Sequence, residues 1–154
     1  MPVDLSVMDR PCGLEKDLVN WFCDAMGTEH REDRIPATGL DTVVREMAFR
    51  FGRADIVVFH VDGSASVIEA KDGTKGYKHV VGGIGQVALY AAQLGMSRGA
   101  LTKVRRCLMW TSTGDVFLDA LIEEACEQSG VIALPYGSMK QHMADYKAVL
   151  SRYM

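Results

Sequence analysis

The sequence predicts an α/β fold in which a mixed sheet of about five strands is flanked by helices. Two observations predict it: three consecutive segments have a period of two, and the segments after them alternate between helical and strand periods. Strands and helices mixed in this order are typical of an α/β sandwich. The 154 residues, of which 48% are hydrophobic, are enough for one sizeable core.

We expect a single domain over residues 1–154, with its core at about 14–135 and a C-terminal helix at about 138–153. The formal net charge is −3, and this acidic balance excludes a strongly basic tail for binding nucleic acid. Any contact with DNA must therefore be confined to one face.

The first half of the chain predicts one helix followed by three strands. Apolar residues recur at helical spacing up to the stop signal Gly27, and a polar segment then connects to residues rich in β-branched and aromatic side chains. Turns at Gly52-Arg53 and at Asp62-Gly63 make these strands an antiparallel meander. The predicted elements are a helix at Leu14–Met26 and strands at Thr42–Phe51, Ala54–Val61 and Ala65–Lys71.

The second half of the chain predicts alternating helices and strands. A loop rich in Gly and Lys, residues 72–83, separates it from the meander. Asp115 near the start of the second of these helices and Gly130 after it mark that helix's ends. The predicted order is a helix at Ile84–Met96, a strand at Val104–Ser112, a helix at Asp115–Gly130, a strand at Val131–Pro135 and a helix from Ser138.

Three charged residues stand at the ends of two predicted strands. Glu69 and Lys71 are two apart, so they point to the same face of the third strand. If the second and third strands pair about a two-residue turn at Asp62-Gly63, Asp55 lies opposite Lys71 or its neighbour. Two carboxylates and one lysine then share a site.

This group of residues suits metal-assisted hydrolysis of a phosphodiester bond. Carboxylates, with the backbone carbonyl of Ala70, are the oxygen ligands that Mg²⁺ or Mn²⁺ prefers. Lys71 can orient the attacking water or neutralise developing charge. Taken singly, Asp55 reads as a turn or cap residue and Glu69 and Lys71 as an exposed strand end.

Two motifs at these positions resemble those of the PD-(D/E)XK nuclease superfamily. Asp55 followed after fourteen residues by Glu69-Ala70-Lys71 resembles the D-x(n)-E-x-K motif, and "GQVALYAAQLG" resembles the Q-x-x-x-Y helix of RecB-type members. The resemblance covers roughly residues 14–112, with Ala54 where the superfamily usually has Pro. It implies a restriction-endonuclease-like three-layer sandwich and a Mg²⁺-dependent DNA nuclease, in a superfamily that serves repair, recombination, restriction and viral DNA processing.

The resemblance also assigns roles to individual residues. It makes Asp55 and Glu69 the metal ligands and Lys71 the catalytic lysine, and it places Gln86 and Tyr90 beside the site. Many relatives carry a Glu on the first helix, for which the candidates here are Glu15 or, in its place, Asp17 or Asp24.

Basic residues near the predicted site are candidates for contacts with DNA phosphates. Lys75, Lys78 and His79 lie in the predicted loop before the helix and Arg53 lies between two strands, although a solvated loop has the same composition. A wider basic rim would add Arg31, Arg34, Arg45 and Arg50.

Two alternative functions remain open at this point. The first is the same fold without catalysis, acting as a DNA-binding or protein-interaction module. The second is a small-molecule enzyme, but the sequence shows no convincing Ser–His or Cys–His pair for it. The four histidines lack ligand spacing, so a zinc site is not expected.

The chain is expected to act with a partner and in a reducing compartment. Because it is too short for a separate recognition domain, we expect a homodimer or a partner protein, contacted by the last helix through Met139, Met143, Tyr146, Val149, Leu150 and Tyr153. The absence of a basic leader and of a long apolar run predicts a soluble cytoplasmic protein. The scattered cysteines Cys12, Cys23, Cys107 and Cys126 read as free thiols.

Overall fold

A computed structural model describes residues 15–153, which form one five-stranded sheet and four α-helices. In chain order the elements are α1 Glu15–Ala25, β1 Thr42–Ala48, β2 Arg53–Phe59, β3 Ala65–Lys71, α2 Tyr77–Ser97, β4 Val104–Trp110, α3 Val116–Gln128, β5 Ile132–Pro135 and α4 Met139–Ser151, with a 3₁₀ turn at Gly73–Lys75 between β3 and α2.

The sheet contains both kinds of strand pairing. Its strands lie in the order β1-β2-β3-β4-β5, with antiparallel pairs β1/β2 and β2/β3 and parallel pairs β3/β4 and β4/β5. Short turns suffice for the antiparallel pairs, and α2 and α3 provide the crossovers that parallel pairs need. Strand β3, which carries Glu69 and Lys71, is thus central and has all seven residues buried.

Helices cover both faces of the sheet. On one face α2, α3 and α4 pack against residues such as Val57, Val67 and Leu108. On the other face α1 and the segment after it pack against residues such as Ile56 and Ile68. The prediction of an α/β sandwich with a mixed five-stranded sheet, which the resemblance described as three-layered, is therefore confirmed.

The turn between β2 and β3 corrects the predicted register by one residue. Phe59 pairs with Ala65, and the N–H of His60 donates to the carbonyl of Ser64 at 2.8 Å, so the loop has three residues and not two. Gly63, at a φ of +89°, closes it in the left-handed conformation that such loops require. Continued past its last pair, this register places Asp55 opposite Glu69.

Helix α2 begins at Tyr77, seven residues before the predicted start at Ile84. Lys78 and His79, expected in a loop, therefore lie on its first turn. One of the glycines that favoured a loop has a packing reason to lie in the helix: a Cβ on Gly83 would lie 2.6 Å from Cδ1 of Leu108. Absence of a side chain lets the helix approach the sheet closely.

Strand β1 ends at Ala48, three residues before the predicted end at Phe51. The N–H of Phe49 donates to the carbonyl of Gly52 at 2.9 Å, and this closes a turn between β1 and β2. The aromatic residues at positions 49 and 51 thus belong to a turn, although their β propensity favoured a strand.

Helix α4 is divided between core and surface. Met139 and Met143 are buried, whereas Val149 is 49% exposed and Tyr153, just after the helix, is 85% exposed. Of the surface expected to contact a partner, the first part therefore packs inside the domain, and contact through the remainder stays a prediction.

The described cysteines carry free thiols. Cys107 and Cys126 are buried, and Cys23 is partly buried, while Cys12 lies outside the described residues. Burial raises the pKa of all three described thiols, that of Cys126 to about 12, so these thiols are poor nucleophiles at neutral pH. Among residues 15–153, no helix has the length and apolar character needed to cross a membrane.

Candidate active site

The carboxylates of Asp55 and Glu69 lie next to each other where the backbone pairing of β2 with β3 ends. The last backbone pair is Ile56 with Ile68. Beyond it, the N–H of Asp55 donates to Oε1 of Glu69 at 3.1 Å, and the N–H of Ala70 donates to Oδ2 of Asp55 at 2.8 Å. Each carboxylate thus accepts from the backbone of the opposite strand, which fixes both side chains where the ladder ends.

The surroundings of this pair oppose a second negative charge. Burial, followed by the charge of Asp55, raises the pKa of Glu69 to about 8. Burial also raises the pKa of Asp55; the N–H of Ala70 acts in the opposite direction, and the charge of Glu15 adds to the increase. The nearby Lys71 lowers both pKa values without offsetting these effects. A cation bound here would stabilise the ionised pair.

Lys71 lies beside the pair on the same face of β3. Its Nζ is 4.0 Å from Oε2 of Glu69, and its side chain is 11% exposed. The aliphatic part passes over Gly83 of α2, where a Cβ would lie 3.2 Å from Cγ of Lys71. The glycine of α2 therefore leaves the space through which the lysine reaches the carboxylates.

The backbone of β3 adds a third oxygen to the site. The N–H of Thr111 donates to the carbonyl of Lys71 at 3.2 Å, so the peptide groups of Lys71 point toward β4 and those of Ala70 point toward β2. The carbonyl of Ala70 consequently faces the same side as Asp55. Within residues 15–153 no three His, Cys, Asp or Glu side chains form a metal-binding group by themselves. Two carboxylates and a carbonyl, completed by waters, nevertheless fit the oxygen preference of Mg²⁺.

Glu15, at the start of α1, is tied to the end of β3. Its Oε1 accepts from the N–H of Asp72 at 3.2 Å, makes a hydrogen bond with Nε2 of His79 and lies 3.9 Å from Nζ of Lys75. Burial alone would raise the pKa of Glu15, but the hydrogen bonds with His79 and Asp72 and the charges of His79 and Lys75 lower it. Glu15 therefore adds an ionised carboxylate beside the site.

A cavity of about 370 Å³ between α1 and β1 reaches Asp55. It reaches Asp55 from the α1 side of the sheet, and Glu69 is not among its lining residues. One of its residues, Glu46, has a φ of +52° inside β1, and its charge also raises the pKa of Asp55. The lining residues are Glu15, Lys16, Val19, Asn20, Arg45, Glu46 and Asp55.

The two residues predicted on the helix beside the site take different positions. The ring of Tyr90 stacks on Phe49, with centroids 5.9 Å apart and planes at 12°. It also lies under Gly52, where a φ of +94° and the ring, 2.4 Å from the position of a Cβ, both require glycine. Tyr90 thus supports the β1–β2 turn. Gln86 is exposed, one helical turn after Gly83.

The basic residues expected to contact phosphates differ in their availability. Lys75 and His79 are engaged with Glu15. Lys78 and Arg53 are exposed, at the first turn of α2 and the first residue of β2.

Three arginines of the predicted basic rim are held by the domain itself. Arg34 Nη1 donates to Glu123 at 3.1 Å and to the carbonyl of Ala133 at 2.7 Å. Arg31 Nε donates to the carbonyl of Ala37, and Arg45 Nη1 donates to Asn20 Oδ1. Arg31 and Arg34 thus contribute to holding the segment after α1, and contact of the rim with phosphates stays a prediction.

Sequence reasoning missed a buried chain of polar side chains. Nδ1 of His60 lies 2.7 Å from Oδ2 of Asp41, and its Nε2 lies 2.7 Å from Oγ of Ser66. The order resembles a Ser-His-Asp triad, but Ser66 is 0% exposed and no substrate can reach it. Asp41 and Ser66 lie on separate elements, so no local spacing in the sequence marks them. These hydrogen bonds tie the segment before β1 to the β2–β3 hairpin.

Comparisons with protein-family profiles and with curated protein sequences give no match. Comparison with solved structures finds similarity to a crystal structure of a repair endonuclease from Pyrococcus abyssi, with 20% sequence identity and a TM-score of 0.44. The similarity covers 62% of this chain and 38% of that one, so the present chain spans about two fifths of that protein. The function proposed below rests on the geometry of the site and not on this similarity.

Proposed function

We propose that the chain is a metal-dependent DNA nuclease of the PD-(D/E)XK type that hydrolyses phosphodiester bonds at the ends of β2 and β3. One observation carries the proposal: the N–H groups of Asp55 and Ala70 hold the carboxylates of Glu69 and Asp55 side by side, with Nζ of Lys71 4.0 Å from Glu69. Burial raises the pKa of Glu69 to about 8, so a bound cation would favour its ionised form.

Asp55, Glu69 and the carbonyl of Ala70 would hold Mg²⁺ or Mn²⁺. When bound, the ion supplies a water of lowered pKa and polarises the scissile phosphate. The hydrogen bonds from the N–H of Asp55 to Glu69 and from the N–H of Ala70 to Asp55 hold both carboxylates in place without a substrate. This preorganisation avoids the free-energy cost of arranging two like charges during the reaction.

Lys71 supplies a positive charge from a protein side chain, in addition to that of the metal ion. Its ammonium group is positioned to orient the attacking water or to offset negative charge that develops on the phosphate. Packing of its stem over Gly83 limits the rotamers that the side chain can adopt. Glu15 is a positioning residue, because it fixes the N–H of Asp72 directly after Lys71.

The test is incubation of the purified chain with labelled duplex, single-stranded, flap and four-way-junction DNA in Mg²⁺, Mn²⁺ or EDTA. We expect cleavage of at least one substrate with a divalent ion, none in EDTA, and none by the Glu69→Ala variant. Cleavage that persists in EDTA or in Glu69→Ala would overturn the proposal. Absence of cleavage on every substrate, with DNA binding retained, would favour the non-catalytic module instead.

A further inference from the structure

A second cavity, of about 700 Å³, lies between the β1–β2 turn and the last turns of α2. Its size falls in the range of sites that take up small organic groups such as a nucleobase. The lining contains two arginines and no acidic residue. We call it the turn groove; it is lined by Met47, Ala48, Phe49, Arg50, Phe51, Gln93, Met96, Ser97 and Arg98.

The turn groove presents to solvent an aromatic ring whose backbone is anchored to α2. Phe51 is 59% exposed. Its backbone N–H donates to Oε1 of Gln93 at 3.0 Å, and its carbonyl accepts from Nε2 of Gln93 at 2.8 Å. The guanidinium of Arg50 lies 5.2 Å from the centre of the ring. Two hydrogen bonds to α2 therefore fix the backbone of a residue whose apolar ring is exposed, although burial of the ring would be favourable.

The turn groove adjoins the carboxylate pair along β2. Phe51 precedes Asp55 by four residues, which at about 3.3 Å per strand residue is no more than about 13 Å. A stacked nucleic-acid strand rises about 3.4 Å per nucleotide, so roughly four nucleotides or fewer span that distance. Tyr90, under Gly52, supports the turn between the two sites.

We propose that the turn groove binds unpaired DNA nucleotides next to the scissile phosphate, with a base stacked on Phe51 and phosphates near Arg50 and Arg98. The inference deepens the proposed nuclease function and rests on it. Side-chain rings can stack on bases only where the bases are not stacked within a duplex, so the substrate carries a single-stranded segment beside the cleavage point. Arginines without an acidic neighbour in the lining match the phosphate charge of such a segment.

The experiment measures binding by fluorescence anisotropy, in EDTA, of a labelled oligothymidine strand and of a duplex of equal length. Because stacking is worth about 1–3 kcal/mol per base, Phe51→Ala should weaken binding of the single strand by about 5- to 150-fold. Arg98→Ala should weaken it too and reduce its salt dependence. Phe117→Ala is the matched control, since this phenylalanine is 51% exposed on α3 and should leave binding unchanged.

Equal loss of single-strand binding in Phe51→Ala and Phe117→Ala would overturn the groove assignment. Unchanged binding in both Phe51→Ala and Arg98→Ala would overturn it too. So would sedimentation showing that Phe51→Ala abolishes self-association of the chain, because the groove would then be an interface between copies. The two proposals fail separately. If cleavage depends on metal but binding does not depend on Phe51, only the groove proposal is refuted. If binding depends on Phe51 but no cleavage occurs, only the nuclease proposal is refuted.

Discussion

The carboxylate of Glu69 is placed where its own charge is unfavourable. It lies against Asp55 and is almost fully buried, and Lys71 does not offset these effects on its pKa. A carboxyl group whose pKa is raised in this way destabilises the fold at neutral pH.

In the absence of metal at neutral pH, Glu69→Gln should therefore stabilise the protein. The amide oxygen can still accept from the N–H of Asp55, and folding at neutral pH no longer has to protonate this side chain against its ordinary pKa. We expect the Tm to rise by about 3–8 °C, measured by circular dichroism in EDTA. Glu123→Gln is the control with the opposite sign, because Arg34 and Lys147 stabilise that buried carboxylate and lower its pKa against the effect of burial. A fall in Tm for both variants would contradict this account.

Lys71 should affect the reaction rather than the fold. Lys71→Ala should lower the rate of DNA cleavage by about a hundredfold or more, since it removes the positive charge beside the reacting phosphate. Divalent-metal binding and the far-ultraviolet spectrum should change little. Lys103→Ala removes an exposed lysine before β4 and is the control for the loss of one positive charge. Normal cleavage by Lys71→Ala would mean that another residue is the catalytic lysine.

At the scale of elements, the contact between α2 and β3 depends on one glycine. Gly83→Ala should destabilise the protein by about 1–3 kcal/mol, because the new Cβ overlaps Leu108 and presses on Lys71. Gly82→Ala is a matched control on the same helix with nothing within 4 Å of its Cβ, and it should stabilise by about 0.5–1 kcal/mol. Urea unfolding of both variants gives the comparison. Equal effects at the two positions would show that α2 does not approach β3 as described.

The buried chain through His60 should make the fold sensitive to acid. Burial raises the pKa of Asp41, but the hydrogen bonds with Thr38 and His60 outweigh it and leave this pKa below its ordinary value of 3.8. A lowered pKa contributes stability above pH 3.8 that is lost as the pH falls through the folded-state pKa. Asp41→Asn should thus cost about 2–3 kcal/mol at pH 7.

The cost of Asp41→Asn should shrink below about pH 3.8, as the wild-type carboxyl takes up its proton. Urea unfolding at a series of pH values measures it. A difference in stability between the two proteins that stays constant down to pH 2 would show that Asp41 is not held as a carboxylate. The same result would remove the role of His60 in tying the segment before β1 to the hairpin.

For the whole molecule, the parts that the sequence predicted are those encoded locally. Strand β3 runs from Ala65 to Lys71 as its pattern indicated, since alternation and a flanking turn are both local signals. The approach of Asp55 to Glu69 followed from a hairpin, in which sequence separation and spatial pairing are linked. Their roles as metal ligands, and that of Lys71 in catalysis, stay predictions.

What the sequence did not predict depends on contacts between distant segments. Gly83 favours a loop until Leu108 and Lys71 are seen to occupy the space that its Cβ would take. The link between Asp41 and Ser66 through His60 has no spacing rule. The turn groove likewise exists only because α2 passes behind the β1–β2 turn.

The most direct measurement is calorimetric titration of Mn²⁺ into the wild-type chain and into Glu69→Gln, at neutral pH and without DNA. It needs no knowledge of the substrate, so it addresses the carboxylate pair alone. We expect saturable binding by the wild type that is lost or greatly weakened in the variant, because two carboxylates and the carbonyl of Ala70 would form the site. Equal binding by both proteins, or none by the wild type, would contradict the claim that Asp55 and Glu69 hold a catalytic cation.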